Sequence, residues 1–169
     1  MHVARIHRLV LILGLASLGG VAHANSSSYY AGPVSCSDGP FALRLPDTYE
    51  ALRTIGQLRD DRVLPGAVPG GAGGEQRELV FGGLRLTILR AKLDPANYQV
   101  LSAEVSARGW KIAGPFKVGA LLPARVGDVD TRQVRGRGVV EFIGEGKDVV
   151  RMRHSGRRIS SITYLCNAP

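Results

Sequence analysis

The chain has 169 residues, 44% of them hydrophobic and 21% charged, which excludes a disordered or fibrous protein and fits an ordinary globular one. Its 22 lysines and arginines outnumber its 14 aspartates and glutamates, giving a formal charge of +8. That excess draws a protein toward anionic partners and decides nothing about its fold.

In chain order, residues 1–24 read as a secretory signal peptide. Arg5 and Arg8 precede an apolar run from Leu9 to Leu18, and Ala22-His23-Ala24 places small residues at a cleavage site before Asn25. The run is shorter than the roughly 20 residues of a bilayer span. No cysteine lies near the cleavage point to carry a lipid. The expected product is a periplasmic or secreted chain, cleaved after Ala24, with no transmembrane span and a charge of about +6.

A flexible N-terminal tail is expected over 25–35. Beyond it stand the two cysteines, Cys36 and Cys166, near the ends of the folded part. In an exported protein such a pair reads as one disulfide, which would set the first and last strands side by side.

The remainder divides into two units, 36–110 and 111–169. Gly39-Pro40-Phe41 in the first recurs as Gly114-Pro115-Phe116 in the second, and Leu45-Pro46 recurs as Leu122-Pro123. A helix is expected after Pro46, with Tyr49, Leu52 and Ile55 on one face and Gly56 as its stop. The matching helix in the second unit is weak, because Gly119, Pro123 and Gly127 interrupt it. Between the first helix and its strands, Pro65 to Gly74 reads as a flexible loop. Three strand-like runs then follow in each unit. Leu84-Arg85-Leu86-Thr87-Ile88 and Val150-Arg151-Met152-Arg153 alternate as half-buried strands do. Gly82-Gly83 and Ser155-Gly156 supply turns. The expected fold class is α+β: antiparallel β-meanders with short helices packed on one face, the two units being either tandem repeats or β-rich segments alike by chance.

A short helix followed by a meander, after a Gly-containing first segment, resembles the β-lactamase-inhibitor-protein-like repeat, a unit also seen in small outer-membrane assembly proteins. The second unit carries the likeness best, in Phe116-Lys117-Val118-Gly119, Val139 to Ile143, Asp148 to His154 and Gly156 to Tyr164. The resemblance implies a sheet that grips a partner enzyme. The chain departs from it in its poor second helix, in a disulfide between the ends rather than inside each repeat, and in lacking a lipid-attachment cysteine. No contact residue is carried over.

No catalytic residue, metal site or cofactor is assigned. His2, His7 and His23 leave with the signal peptide, so only His154 remains, and it reads as a solvent-facing residue beside a turn. Nucleophilic catalysis by a histidine-assisted group therefore has one candidate base, and zinc lacks a ligand set. Asp60-Asp61 and Asp128/Asp130 read as solvated loop charges. Glu104 and Glu141, in strand-like runs, leave a carboxylate pair for hydrolysis open.

The basic stretch from Arg132 to Arg158 offers either a binding face or a solvated sheet face, with Arg151, Arg153 and Arg158 on one side. Trp110, flanked by Arg108 and Lys111, is either a partner anchor or a packing residue at the junction of the units. The expected function is an exported non-enzymatic binding protein, of inhibitor or immunity type, acting on an envelope enzyme. Its partner-binding candidates are Trp110, Arg151, Arg153 and Arg158. An envelope structural or assembly factor that binds anionic cell-envelope polymers is the alternative, and a small hydrolase is the third reading. A protein partner in the envelope is expected, and no nucleic acid, because aromatics for base stacking are missing from the basic stretch.

Overall fold

A computed structural model describes residues 25–30, 34–66, 74–144 and 146–166. The expected signal peptide over 1–24 and most of the expected flexible loop from Pro65 to Gly74 lie outside the described residues. The chain is built on one eight-stranded sheet. Its strands are β1 (Asn25–Tyr30), β2 (Leu58–Val63), β3 (Glu75–Phe81), β4 (Leu84–Arg90), β5 (Tyr98–Val105), β8 (Arg137–Ile143), β9 (Val149–Ser155) and β10 (Arg158–Leu165). A separate two-residue ladder joins β6 (Arg125–Val126) to β7 (Val129–Asp130). The order across the large sheet is β1-β8-β9-β10-β5-β4-β3-β2, with every pair antiparallel except β1 and β8.

Two meanders therefore lie back to back. The strands β2 to β5 run outward from the middle on one side, and β8 to β10 on the other. They join where β5 meets β10, with Val105 opposite Ile162 and Ala103 opposite Tyr164. The alternation in sequence sets the faces. Leu84, Leu86 and Ile88 of β4 are buried, as are Val150, Met152 and His154 of β9, while Arg85 and Arg153 between them are exposed. At the β9–β10 turn, Gly156 and Arg157 both adopt positive φ, the pairing a two-residue turn needs to match the twist of its strands.

The inner face is covered by chain that is irregular apart from short turns and a two-residue ladder, with no packed layer of helices among the described residues. Phe41, Tyr49 and Leu52 from the first connecting segment, and Ile112, Phe116, Leu122, Val126 and Val134 from the second, complete one core with the inward residues of the sheet. The α+β expectation is thus corrected: the protein is mostly β, a single large mixed sheet. Its α-helical content among the described residues is one turn, α1 (Tyr49–Leu52), capped by the Thr48 hydroxyl, which accepts from the Ala51 amide. Pro46 and Gly56 lie outside that turn. The run after Gly114 forms the β6–β7 hairpin instead of a second helix. Four residues cannot repay helix nucleation alone, so α1 depends on its two buried side chains, Tyr49 and Leu52.

Two further expectations change. Part of the expected tail over 25–35 is strand β1, and Val34 after it is buried. Cys36 and Cys166 form a disulfide with Cα atoms 5.8 Å apart. It does not set the first and last strands side by side, because β8 and β9 stand between β1 and β10. The bond instead pins the connecting segment after β1 to the end of β10. Among the described residues no helix is long and apolar enough to cross a membrane.

Candidate functional site

The sheet's outer face is its functional candidate, since among the described residues no segment packs over it. The register lays out one row across the sheet: Ser28, Glu141, Arg151, Thr163, Glu104, Arg85, Val80 and Asp60. Charges alternate along it. Arg151 donates from Nε to a Glu141 carboxylate oxygen, and Glu141 also accepts from the Ser28 hydroxyl at 3.2 Å. Farther over, Glu78 is buried between Arg62 at 2.5 Å and Arg85 at 3.6 Å. Apolar side chains lie among these charges: Val139 and Val149 are half-buried, and Leu165 is exposed.

One end of this face differs. Arg137 on β8 and Arg158 on β10 flank Ser155 of β9, and Arg153 lies two residues back along β9, between Val139 and Ser161. Arg137 and Arg158 are two strand spacings apart, about 10 Å. Among the described residues none of the three pairs with a carboxylate, although Arg158 donates one N–H to the Gly119 carbonyl. Three guanidinium groups and two hydroxyls thus form a cationic corner next to a row of alternating charge. Arg137 was not singled out from sequence. The signal that finds it is the two-residue turn at 156–157, which fixes Ser155 opposite Arg158 and, through the meander, opposite Arg137.

The four sequence-derived contact candidates do not converge. Arg151, Arg153 and Arg158 share the outer face, but Arg151 is spent on Glu141. Trp110 lies on the other side, edge-on to Phe81 at 5.7 Å between ring centroids, with its indole N–H donated to the Gly82 carbonyl at 2.9 Å. Glu104 and Glu141 share a row, yet three strand spacings, about 14 Å, separate their backbones. His154 is buried and faces inward, contrary to expectation, because the β9 alternation puts it in phase with Met152. Burial alone holds its pKa below the ordinary imidazole value, and among the described residues its Nδ1 has no hydrogen-bond partner.

Asp61 is also not a loop charge. It lies on β2, and its carboxylate accepts from the Tyr49 hydroxyl at 2.6 Å and pairs with Arg77 at 2.8 Å and Arg53 at 3.1 Å. Arg77 also pairs with Glu75 at 2.8 Å, and Arg90 lies 4.3 Å over the Tyr49 ring. Burial raises the cost of the Asp61 charge. The Tyr49 hydroxyl and Arg77 outweigh that cost and hold its pKa below the ordinary carboxylate value. Burial and the hydrogen bond to Asp61 push the Tyr49 hydroxyl up. With every carboxylate matched to a cation, this cluster clamps α1 to the sheet and offers no free acid or base. It was invisible in sequence because its members are spread from residue 49 to residue 90.

A cleft of about 400 Å³ beside the disulfide is lined by Leu43, Tyr98, Val100 and Asp148 among others. Burial and nearby Asp47 push the Tyr98 hydroxyl up to about 12, and it donates to the Pro46 carbonyl. Among the described residues no group of three or more histidines, cysteines or carboxylates is placed to hold a metal ion. Comparison of the chain with protein-family models, curated proteins and solved structures finds no match.

Proposed function

We propose that this chain is an exported, non-enzymatic binding protein that docks the open face of its sheet against an acidic surface of a partner protein, in the manner of an inhibitor or immunity protein. The observation that carries this reading is the cationic corner of Arg137, Arg153 and Arg158, which finds no carboxylate within the described residues. A desolvated guanidinium gains most from a carboxylate presented in the plane of its fork, and three of them within about 10 Å suit a cluster of acidic side chains. The adjoining row of alternating charges and apolar side chains suits a protein surface better than a polyanion, which Glu141, Glu104 and Asp60 would repel. The disulfide supports export to an oxidising compartment.

The test is affinity capture from an envelope extract, followed by mass spectrometry. The wild-type chain should retain a partner that Arg137→Glu/Arg153→Glu releases, while the variant keeps its disulfide and its far-ultraviolet spectrum. A partner held equally by both, or none held by either, refutes the reading. Sedimentation with cell-wall or membrane polymers, reversed by salt, would instead favour the envelope-assembly alternative.

A further inference from the structure

We propose that the cleft around Trp110 is a binding site for a carboxylate carried on an apolar body, separate from the outer face. The cleft has a volume of about 370 Å³, and its walls include Gln57, Arg59, Arg108 and Trp110. Among the described residues no acidic one lines it. Among the described residues neither Arg59 nor Arg108 pairs with a carboxylate, so two cations share one hollow with no internal counter-charge. Like charges gathered in a concave site raise the local potential for an anion.

The way the side chains are held points the same way. Arg59 is the residue at which β2 slips register against β3, between the pairs Leu58–Phe81 and Asp60–Val80. An inserted residue of this kind redirects its side chain out of the strand's alternation. Its guanidinium rests on Gly82, where an added Cβ would lie 3.3 Å from Nη2. Arg108 passes over Gly119, where a Cβ would come within 2.5 Å of Nε. Trp110 seats its ring on Gly56, where a Cβ would come within 2.7 Å. Arg59, Arg108 and Trp110 therefore each lie against a position without a side chain of its own.

The indole is fixed as well. Its N–H is committed to the Gly82 carbonyl, so what it offers a ligand is ring surface. Two guanidinium forks match a planar carboxylate, and the ring matches an apolar or aromatic group attached to it. That chemistry is shared by a free aromatic or aliphatic acid and by the carboxyl terminus of a protein chain that ends in an apolar residue.

Trp110 is the single tryptophan of the chain, so its fluorescence reports on the cleft directly. The probes are N-acetylphenylalanine, its C-terminal amide, a pentapeptide ending in a free phenylalanine, and inorganic phosphate, each titrated against the intact disulfide-bonded protein. Saturable changes in emission are expected with the two free carboxylates. The amide should bind at least tenfold more weakly. Arg59→Gln and Arg108→Gln, both at exposed side chains, should each weaken the free acids at least tenfold while leaving the circular dichroism and the urea-unfolding midpoint unchanged. A pentapeptide at least tenfold tighter than the free amino acid identifies a chain end as the ligand. Equal affinity identifies a small acid. The proposal is overturned if the amide binds as well as the acid, if the arginine variants bind unchanged, if phosphate competes as well as the carboxylates do, or if no carboxylate alters the emission. None of these readings depends on the outer face.

Discussion

Phe41 and Phe116, the matching residues of the two Gly-Pro-Phe segments, face each other with ring centroids 5.6 Å apart. Both also lie against Phe142 of β8, at 5.5 and 6.4 Å. The two connecting segments run against each other here, and the Arg44 amide donates to the Ile112 carbonyl at 2.8 Å. The trio is the point at which chain from both units closes over the inner face of the sheet. Phe116→Ala should therefore cost about 3–5 kcal/mol in urea unfolding. Phe41→Leu and Phe116→Leu share a partner, so their effects should depart from additivity by about 0.5 kcal/mol or more in a double-mutant cycle.

The disulfide spans 130 residues of chain. Its loss frees that loop only in the unfolded ensemble, and the chain-entropy model values such a closure at about 5 kcal/mol, an upper figure for many real bridges. Reduction, or Cys36→Ala/Cys166→Ala, should lower the thermal midpoint markedly. The near-ultraviolet spectrum should keep its native form at low temperature, because the aromatic core does not pass through the bond. Calorimetry with and without reductant measures the difference.

Tyr49→Phe removes one hydrogen bond to Asp61 and leaves Arg77 and Arg53 in place, so a loss of about 1 kcal/mol is expected. Asp61→Asn removes the carboxylate that Arg77 and Arg53 share, while Glu75 and Glu50 remain as their second partners, and should cost more, about 2 kcal/mol. The pH dependence has a definite sign. The folded pKa of Asp61 lies below its ordinary value of 3.8, so its contribution is complete above that pH and fades as pH falls toward the folded value. Asp61→Asn should consequently flatten the acid limb of the stability profile. An unchanged acid limb would mean that the pair is not formed in solution.

His154 titrates in a higher window. Its folded pKa is depressed below 6.5 by burial, so the unfolded chain takes up a proton first as pH falls. Its neutral form favours the fold fully above about pH 6.5, and that advantage drains away below it. Between pH 7.5 and 5.5 the wild type should lose stability that His154→Leu does not. Urea unfolding at the two pH values resolves it. Equal losses in both proteins would place the imidazole in water.

The outer-face arrangement of Arg151 and Arg153 was legible in the sequence, because strict alternation over β9 leaves one face for the arginines and the other for Val150 and Met152. The burial of His154 follows from the same alternation and was missed because the adjacent turn drew it outward. The helices were overestimated for a physical reason: Pro46 and Gly56 are good boundary residues, but between them only Tyr49 and Leu52 are fully buried, and Ile55 packs on the core only in part. Strand β2 was missed because Asp60-Asp61 resembles solvated loop chemistry. Asp61 tolerates a half-buried strand only through Tyr49 and Arg53, from α1 and its C-cap, and Arg77 from β3.

Local pattern thus determined the meander strands other than β2, the β9–β10 turn, the phenylalanines of the core and the pairing of two cysteines, since each depends on residues whose spacing along the chain is itself the signal. The tertiary structure alone decided the parallel addition of β1, the meeting of β5 with β10, the corner formed by Arg137, Arg153 and Arg158, and the cleft that gathers Arg59, Arg108 and Trp110. Those arrangements rest on which strand edges pair, on one register slip in β2, and on three glycines that admit side chains from elsewhere. Such contacts are long-range packing outcomes, and no window of neighbouring residues contains them.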